Sequence, residues 1–292
     1  MLLRIGSKGP NVILVQDFLG LKQDGDFGPN TDRAVKKWQR SMNLKADGIV
    51  GPKTWNMMAI ATTDARESIN VSNVQIEKYY LPVGEYVKGP TKKEYLFIHH
   101  TAGWENPYNQ VNQWGSDRRG TIATEFVIGG QSVKSDATNK HDGTILQAFP
   151  EGGYGWHLGR NGSQYMHTHS VGLEVCNFGF LIDKKTYVGT DVADNQITTL
   201  KQAFRGHKDW HKYSDNQIKS LGKLIKYVGD RDNIDIRCGL ISEIKKNGVK
   251  GFEYNENAFF GRVKGLWSHT NTRKDKTDMY PCPRLIDMLL SL

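Results

Sequence analysis

The stretch that most constrains this chain is residues 95–103, which reads Tyr-Leu-Phe-Ile-His-His-Thr-Ala-Gly. Its first four residues are apolar, aromatic or β-branched, so the pattern predicts a buried strand that ends at two histidines. Successive side chains of a strand point to opposite faces, so only one of His99 and His100 can face a given site. Histidines at a strand end can also be ordinary, satisfied polar residues. The stretch alone therefore leaves a metal site and a structural role open.

The composition sets the size and class of the chain. With 292 residues, of which 38% are hydrophobic and 24% charged, we expect a soluble protein with a buried core and two domains. The net charge of +8 favours an anionic partner, such as a cell-wall polymer, a nucleic acid or a membrane surface. No long basic run concentrates that charge, so nucleic-acid binding is not expected. A basic protein without such a partner is the alternative.

The cysteines and the amino terminus bear on the place of synthesis. The three cysteines, Cys176, Cys238 and Cys282, are widely spaced, which argues against a disulfide framework and fits a reducing compartment. The first residues lack the apolar segment of a secretory signal, and no run of 18 apolar residues is present to span a membrane. We therefore expect synthesis in the cytoplasm and no stable membrane insertion.

An internal repeat indicates a separate amino-terminal domain. Residues 24–31 (Asp-Gly-Asp-Phe-Gly-Pro-Asn-Thr) recur as residues 47–54 (Asp-Gly-Ile-Val-Gly-Pro-Lys-Thr). In each copy Asp-Gly supplies a turn, and Gly-Pro leads into a helix because Pro suits the first helical turn. The helices are expected at about residues 11–19, 31–41 and 52–58. The sequence thus predicts a three-helix domain over residues 1–60, followed by a polar, flexible linker over residues 61–73.

The remainder, residues 74–292, predicts a second domain of the α/β class. Strands are expected at 95–98, 124–128, 144–149 and 170–175, and helices at 107–114, within 195–229 and from about Arg284. The helices would pack on the sheet. Residues 183–194 and 240–262 look irregular and receive no assignment.

One carboxylate lies within a strand that is expected to be buried. Val171, Leu173 and Val175 share one face of the strand at 170–175, and Glu174 points to the other face. Buried Glu is rare unless it is paired or acts as a ligand. We therefore expect a functional role for Glu174, with a structural ion pair as the alternative.

Several potential zinc ligands are scattered along this domain. His99, His269 and one of Asp278 or Cys282 suit a catalytic zinc site, which uses three protein ligands and leaves a position for water. Zinc acidifies that water and polarises a substrate carbonyl. A carboxylate can then take the proton, and a lysine such as Lys276 can stabilise the developing oxyanion.

Most of residues 2–60 carries recognisable motifs. They are residues 6–9 (Gly-Ser-Lys-Gly) with Val12 and Gln16, both copies of the repeat, and residues 34–39 (Ala-Val-x-x-Trp-Gln). These motifs resemble the type-one peptidoglycan-binding domain family. The resemblance implies non-catalytic binding to the glycan or stem peptide of bacterial peptidoglycan. Because the Gly and Asp of the repeat can be purely structural, binding is assigned to the domain and not to single side chains.

The second domain also carries recognisable segments: residues 98–103, residues 170–174, and His269 followed by residues 276–278 (Lys-Thr-Asp). They resemble the zinc-dependent N-acetylmuramoyl-L-alanine amidases, whose fold includes the animal peptidoglycan-recognition proteins. The resemblance covers roughly residues 75–292. It implies an α/β fold with a mixed central β-sheet flanked by helices, a Zn²⁺ cofactor, and cleavage of the amide bond between muramic acid and L-alanine.

The resemblance carries roles to individual residues. His99 and His269 match zinc ligands, and Glu174 and Lys276 match the catalytic glutamate and lysine. The third ligand stays open, because the Lys-x-Asp form gives Asp278 and a Cys-Pro form gives Cys282. The shorter spacing after His269 favours Asp278.

Other positions depart from the family pattern or match it less specifically. Many members carry an aromatic or histidine pair where residues 124–125 are Thr-Glu, so the tyrosine of some relatives is absent and the base role falls to Glu174. Glu125 is expected to bind substrate or support a neighbour, with a surface charge as the alternative. Trp156 and His157 resemble the substrate groove of the family. Four other histidines, His167, His169, His207 and His211, are expected to have no special role.

Together the two resemblances imply a modular phage endolysin that hydrolyses peptidoglycan for host cell lysis. A non-catalytic recognition protein on the same fold is the alternative. A cytosolic amidase that recycles soluble wall fragments is a third reading, against which the wall-binding domain argues. The endolysin reading implies synthesis in the host cytoplasm and access to the wall through a holin-like permeabilising protein. The oligomeric state stays open, with a monomer as the default.

Overall fold

The computed structural model describes residues 2–42, 44–62, 69–71, 74–89, 91–134, 139–159 and 163–292. Part of the predicted linker, residues 63–68 and 72–73, lies outside these ranges. Within the described part of that linker, residues 61–62 end a helix and residues 69–71 form a short strand.

The amino-terminal segment contains the three helices that the sequence predicts: α1 (Pro10–Phe18), α2 (Pro29–Ser41) and α3 (Pro52–Thr62). Each helix begins at a proline, whose fixed φ and missing N–H suit the first helical position. Their shared core contains Val12, Val15, Phe27, Val35 and Val50, all fully buried. The predicted helices are confirmed, although α3 continues past residue 58.

The first copy of the repeat closes on a buried glutamine. Gln16 Nε2 donates to Asp24 Oδ1 at 2.7 Å, to the carbonyl of Asp26 at 3.0 Å and to Thr31 Oγ1 at 3.3 Å. The N–H of Gly25 donates back to Gln16 Oε1 at 2.9 Å. The Asp-Gly turn is thereby fixed to helix α1.

The second copy repeats this network around Gln39. Its Nε2 donates to Asp47 Oδ1 at 3.1 Å, to the carbonyl of Ile49 at 3.0 Å and to Thr54 Oγ1 at 3.2 Å. The N–H of Gly48 donates to Gln39 Oε1 at 2.9 Å. The repeated Asp, Gly and Thr residues therefore have a structural role, which supports assigning wall binding to the domain and not to them.

The rest of the chain is built on a mixed sheet. Its strands are β1 (Ile69–Val71), β2 (Val74–Lys78), β3 (Tyr95–His100), β4 (Phe126–Ile128), β5 (Ile145–Gln147) and β6 (Ser170–Val175); β7 (Ile197–Phe204) and β8 (His207–His211) form a separate hairpin, and β9 (Gly265–Ser268) returns to the sheet. The strand order is β1-β2-β5-β4-β6-β3-β9. Strands β6, β3 and β9 are parallel neighbours in the middle and at one side of the sheet. All six residues of β3 are buried, as its unbroken apolar pattern predicts.

Helices cover both faces of this sheet. They are α4 (Pro107–Trp114), α5 (Gln164–Thr168), α6 (Asp215–Asp232), α7 (Leu240–Asn247), α8 (Glu256–Phe259), α9 (His269–Thr272) and α10 (Pro283–Leu290). Leu221 and Leu224 of α6 share a core with Phe126 of β4, whereas Val111 of α4 packs with Val127, the next residue of that strand. Adjacent strand residues thus face opposite helical layers. The predicted fold class, α/β with a mixed central sheet flanked by helices, is confirmed.

Two stretches differ from the sequence predictions. Within 195–229 only the second half is helical, as α6, because residues 197–211 form the β7–β8 hairpin. The hairpin turns at Arg205 and Gly206, whose φ values of 50° and 86° are the left-handed pair that a tight two-residue hairpin loop requires. Residues 240–262 are also more regular than expected, since they contain α7 and α8. None of the helices in the described part of the chain is long and apolar enough to cross a membrane.

Candidate metal centre

Three neighbouring parallel strands end at the same edge of the sheet. His99 of β3 is the direct register partner of Glu174 of β6. On the other side of β3, Ser268 ends β9, and His269 follows as the first residue of α9. Because the carboxyl ends of parallel strands lie together, this edge is the usual place for a site in an α/β sheet. The topology brings residues that are far apart in sequence, His99, Glu174 and His269, to one place.

Asp278 completes a cluster of potential ligands at this edge. Its Oδ2 lies 2.8 Å from Nδ1 of His269 and 3.3 Å from Nδ1 of His99. One potential ligand atom from each residue lies within 4.8 Å of the other two. The backbone N–H of Thr270 donates to the carbonyl of Asp278 at 3.1 Å, which fixes the loop that carries Asp278 to α9.

The electrostatics of the three side chains suit a cation. Burial lowers the pKa of His99 to about 4, so the imidazole is neutral and keeps a lone pair. Burial alone would raise the pKa of Asp278, but His269 and His99 beside it hold that pKa well below its usual range. His269 Nε2 is also buried and lacks a hydrogen-bond partner among the described residues. Two imidazoles and one carboxylate form a donor set that zinc accepts, so the residues present fit a zinc ion.

His157 holds His99 in place. Its Nδ1 lies 3.0 Å from Nε2 of His99, and its Nε2 lies 2.7 Å from Ser170 Oγ. Ser170 Oγ in turn lies 3.5 Å from the carbonyl of His167. Burial, with His99 nearby, lowers the pKa of His157 well below its usual value. With a cation bound at the cluster, one tautomer assignment satisfies the whole chain: each group donates to the next, from Nε2 of His99 to the carbonyl of His167, and Nδ1 of His99 keeps a lone pair for the cation. Without a cation, Nδ1–H of His99 donates to Asp278 instead.

Strand β6 is shaped to receive this histidine. A Cβ atom at Gly172 would lie 2.7 Å from Thr124 Cγ2 and 3.1 Å from Nδ1 of His157. Because residues two apart share a strand face, Ser170, Gly172 and Glu174 form one row. Ser170 contacts His157, Gly172 leaves room for its ring, and Glu174 lies at the end of the row.

The side chain of Glu174 has neither a hydrogen bond nor an ion pair within the part of the chain that the structure describes. Burial raises the pKa of Glu174 well above its usual value, and Asp278 raises it further while Lys276 opposes this effect. The structural ion pair that the sequence left open is therefore not observed among these residues. The carboxylate lines a cleft and is available to a bound molecule.

The cleft has a volume of about 1360 Å³ and an open mouth above the histidines. Its lining includes the three residues of the cluster and two residues that the sequence predicts in a substrate groove, Trp156 and His157. Three cationic side chains also line it: Arg119, Arg273 and Lys276. Trp156 is 36% exposed and packs edge-on against His167, with ring centroids 4.7 Å apart. His167 also lines the cleft, although its sequence context predicts no special role.

Cys282, the alternative third ligand, lies elsewhere. It is 1% exposed, precedes α10 as its N-cap residue and packs in the main core with Met279 and Tyr280. It is not part of the cluster of donor atoms. The structure thus brings Asp278, and not Cys282, to His99 and His269.

Glu125 lies in a buried ion pair. Its side chain is 1% exposed, and it accepts hydrogen bonds from Arg231 at 2.6 and 3.1 Å and from Gln147 Nε2 at 2.9 Å. This buried ion pair joins β4 to the end of α6. Glu125 is not among the residues that line the cleft, so its contacts fit the expectation that it supports a neighbour and do not fit a surface charge; they give no support to a substrate contact. His100 also faces away from the cluster, with Nδ1 2.8 Å from the hydroxyl of Tyr213.

Comparisons with known proteins give partial relatives. An uncharacterized protein from the bpoA1 3′ region of Kitasatospora aureofaciens is 55% identical over 38 residues, which is 13% of this chain and 32% of that protein. A zinc D-Ala-D-Ala carboxypeptidase from Streptomyces albus G is 36% identical over 55 residues, 19% of this chain and 22% of that protein. The chain thus spans less than a third of the length of each of these curated relatives. The structure of PlyL is similar with 13% identity, a TM-score of 0.38, and coverage of 73% of this chain and 96% of that one.

Two family models match the chain directly. Residues 8–58 match the family described as putative peptidoglycan binding domain. Residues 89–278, which carry His99, Glu174, His269 and Asp278, match the family described as N-acetylmuramoyl-L-alanine amidase. Because this second match extends over more than half of the 292 residues, the chain belongs to the N-acetylmuramoyl-L-alanine amidase family.

Proposed function

We propose that this protein is a peptidoglycan hydrolase that cleaves the amide bond between N-acetylmuramic acid and L-alanine with the help of zinc. One observation carries the proposal. Glu174 of β6 is the register partner of His99 on the neighbouring strand β3, so its unpartnered carboxylate lies beside the His99–His269–Asp278 cluster. Membership of the amidase family supplies the substrate class. A zinc site with a free carboxylate beside it is the arrangement that amide hydrolysis by activated water needs.

In the proposed mechanism, His99, His269 and Asp278 would hold the zinc ion. When bound, zinc would supply a Lewis acid that polarises the scissile carbonyl and acidifies water. His157 keeps His99 in the tautomer that presents Nδ1, through the chain that ends at the His167 carbonyl. Glu174 accepts the proton of the attacking water and passes it to the nitrogen of the leaving amine.

Two further residues act on the substrate in this proposal. Lys276 lines the cleft, so its ammonium group stabilises the negative charge that develops on the carbonyl oxygen. Trp156 offers a partly exposed aromatic surface at the same cleft, against which a sugar or peptide group can pack. Neither contact requires a change in the fold.

The amino-terminal domain, residues 1–60, would anchor the enzyme to peptidoglycan. Support comes from the family match of residues 8–58. The combination of a wall-binding domain and an amidase fits a phage endolysin. We take this endolysin to act as a monomer. In this reading the enzyme is made in the host cytoplasm and reaches the wall through a holin-like permeabilising protein.

The test is a digest of purified peptidoglycan with and without a zinc chelator, scored for new chain ends. New L-alanine amino termini that disappear with chelator and return with added zinc are expected. New reducing sugar ends would instead indicate a glycosidase. Sedimentation with the polymer without any new ends would indicate a recognition protein, and either result would overturn the proposal.

Two variants assign the base. Glu174→Gln should bind zinc normally but lose hydrolysis by about 10²- to 10⁴-fold, the usual contribution of a general base. Glu151→Gln, at an exposed position near the cleft wall, is the matched control and should keep full activity. Retained activity in Glu174→Gln would remove Glu174 from the mechanism.

A further inference from the structure

A buried lysine lies behind the cleft and has no part in the chemistry described above. Lys93 is only 4% exposed and precedes β3 by two residues. Its Nζ donates to Thr91 Oγ1 at 2.8 Å, to the carbonyl of Gly153 at 2.8 Å and to the carbonyl of Thr168 at 3.0 Å. An ammonium group has three N–H donors and no acceptor. All three donors of Lys93 are therefore matched to acceptors.

Two of these acceptors belong to segments that form one wall of the cleft. Gly153 precedes Trp156 and His157 by only a few residues, and Thr168 is the last residue of α5, directly after His167. Thr91 strengthens the same connection, because its N–H donates to the carbonyl of Gly152 at 3.3 Å and its hydroxyl contacts the carbonyl of Thr168. The segment before β3 thus fastens two separate pieces of chain to each other.

We propose that Lys93 is a positioning residue, whose ammonium group holds the cleft wall that carries Trp156 and His157 in its binding geometry. The consequence for turnover rests on the proposed function. Lys93 acts through the carbonyls of Gly153 and Thr168 and does not touch the substrate. A side chain without a donor at this position would leave both carbonyls without the lysine and weaken the connection between the two segments.

The protonation of Lys93 also depends on its surroundings. Burial lowers the pKa of Lys93 to about 8, while Glu125 and Asp232 raise it and Arg231 lowers it. On the cleft side, the ring of Tyr154 lies 5.7 Å from Nζ, and His157 is neutral because burial lowers its pKa. Release of the wall would return Lys93 to water and to its higher ordinary pKa, so loss of the proton favours the closed wall. We therefore expect no rise in KM through Lys93 as the pH rises through about 8.

The same sign holds for global unfolding. The pKa of Lys93 is lower in the folded chain, about 8, than its ordinary value of 10.5. Between these values the unfolded chain binds more protons, so the contribution of Lys93 to stability rises with pH. Substitution of Lys93, and not a change of pH, therefore tests its role.

The test compares kcat and KM of the wild type, Lys93→Met, Lys93→Arg and Lys92→Met from pH 7 to 9.5 on peptidoglycan fragments with zinc in excess. Lys92 is the matched control, because its side chain is 81% exposed. We expect KM of Lys93→Met to be about tenfold higher than that of the wild type and of Lys92→Met at every pH, as for a lost charged hydrogen bond. Lys93→Arg keeps a charged donor and should recover most of the wild-type KM.

A second readout does not depend on hydrolysis. Amide hydrogen exchange of the full chain reports the N–H of Tyr154, which donates to the carbonyl of Val87, and the N–H of His167, which donates to the carbonyl of Ser163. Both should exchange faster in Lys93→Met and remain slow in Lys92→Met. Unchanged exchange and an unchanged KM in Lys93→Met would overturn the inference. Faster exchange without any hydrolysis by the wild type would refute only the proposed function.

Discussion

Nε2 of His99 lies 3.0 Å from Nδ1 of His157, and the two rings meet nearly at right angles, at 85°. His157 resembles a substrate-groove residue in sequence, and it does line the cleft, but both of its nitrogens are directed to protein groups. Its main contact is thus with a proposed metal ligand. The orientation of His99 in the proposed metal site and the shape of the cleft therefore both depend on the side chain of His157.

The first prediction concerns His157→Ala. Removing the partner of His99 Nε2 frees the ring to rotate and to change tautomer, so zinc affinity should fall about 10- to 100-fold. The measurement is competition for zinc with a fluorescent chelator. His169→Ala is the control, since His169 stacks on Tyr165 and makes no contact with the cluster. Equal zinc affinity in the two variants would show that the His99–His157 contact does not support the metal.

The second prediction distinguishes the two candidates for the third ligand. Asp278→Ala should lose stoichiometric zinc, because it removes the only carboxylate of the described donor cluster. Cys282→Ser should keep zinc, because its side chain packs in the core and the serine can still cap α10. Zinc content after dialysis is measured by elemental analysis. Loss of zinc in Cys282→Ser with retention in Asp278→Ala would reverse the assignment.

The strand pattern made part of this site predictable. An apolar run ending in His99 and a second run carrying Glu174 predict two buried strands, and parallel pairing places their ends together. The face on which each side chain lies also follows from the two-residue period. What could not be predicted are contacts set by tertiary packing, such as that of His157 with His99, whose residues share no local pattern.

Glu125 illustrates the same limit. Its partner Arg231 lies at the far end of α6, and nothing in the local sequence pairs a residue before β4 with that helix. A glutamate beside a strand could therefore be read as a substrate contact. The sequence does not predict the β7–β8 hairpin for a related reason. Its turn requires a positive φ at Arg205, and arginine rarely adopts a positive φ.

The third prediction concerns Glu125→Ala. It leaves the guanidinium of Arg231 with Asp232 as its one acidic partner among the described residues, in a place where the side chain of Arg231 is 8% exposed. Breaking a buried pair by removing one partner costs about 3–5 kcal/mol. The midpoint of denaturant unfolding should fall accordingly, while KM of the remaining folded enzyme stays unchanged.

Glu151→Ala provides the comparison for this loss, because Glu151 is exposed and surface substitutions usually change stability by less than about 0.5 kcal/mol. A large increase in KM for Glu125→Ala without loss of stability would indicate that Glu125 is a substrate contact. The same experiment therefore checks the supporting role inferred from its burial.

The last prediction uses the two copies of the amino-terminal network as controls for each other. Gln16→Leu removes the acceptor of the Gly25 N–H and the donor to Asp24, and Gln39→Leu does the same to Gly48 and Asp47. Each change should destabilise its own turn by about 1–3 kcal/mol, the cost of leaving buried polar groups unsatisfied. Hydrogen exchange should accelerate at Gly25 only in Gln16→Leu and at Gly48 only in Gln39→Leu.

The same pair predicts how the domain responds to acid. The hydrogen bond from Gln16 is the largest cause that lowers the pKa of Asp24 below 3.8, so Asp24 contributes stability above that pH and loses it as the pH falls through the lower, folded value. In Gln16→Leu the pKa of Asp24 should move back towards 3.8, while that of Asp47, lowered chiefly by the N–H of Ile49, stays low. NMR titration of the two carboxyl carbons measures both values in one sample. Equal shifts of Asp24 and Asp47 would mean that the two copies are coupled, and no shift of Asp24 would mean that Gln16 does not set its charge.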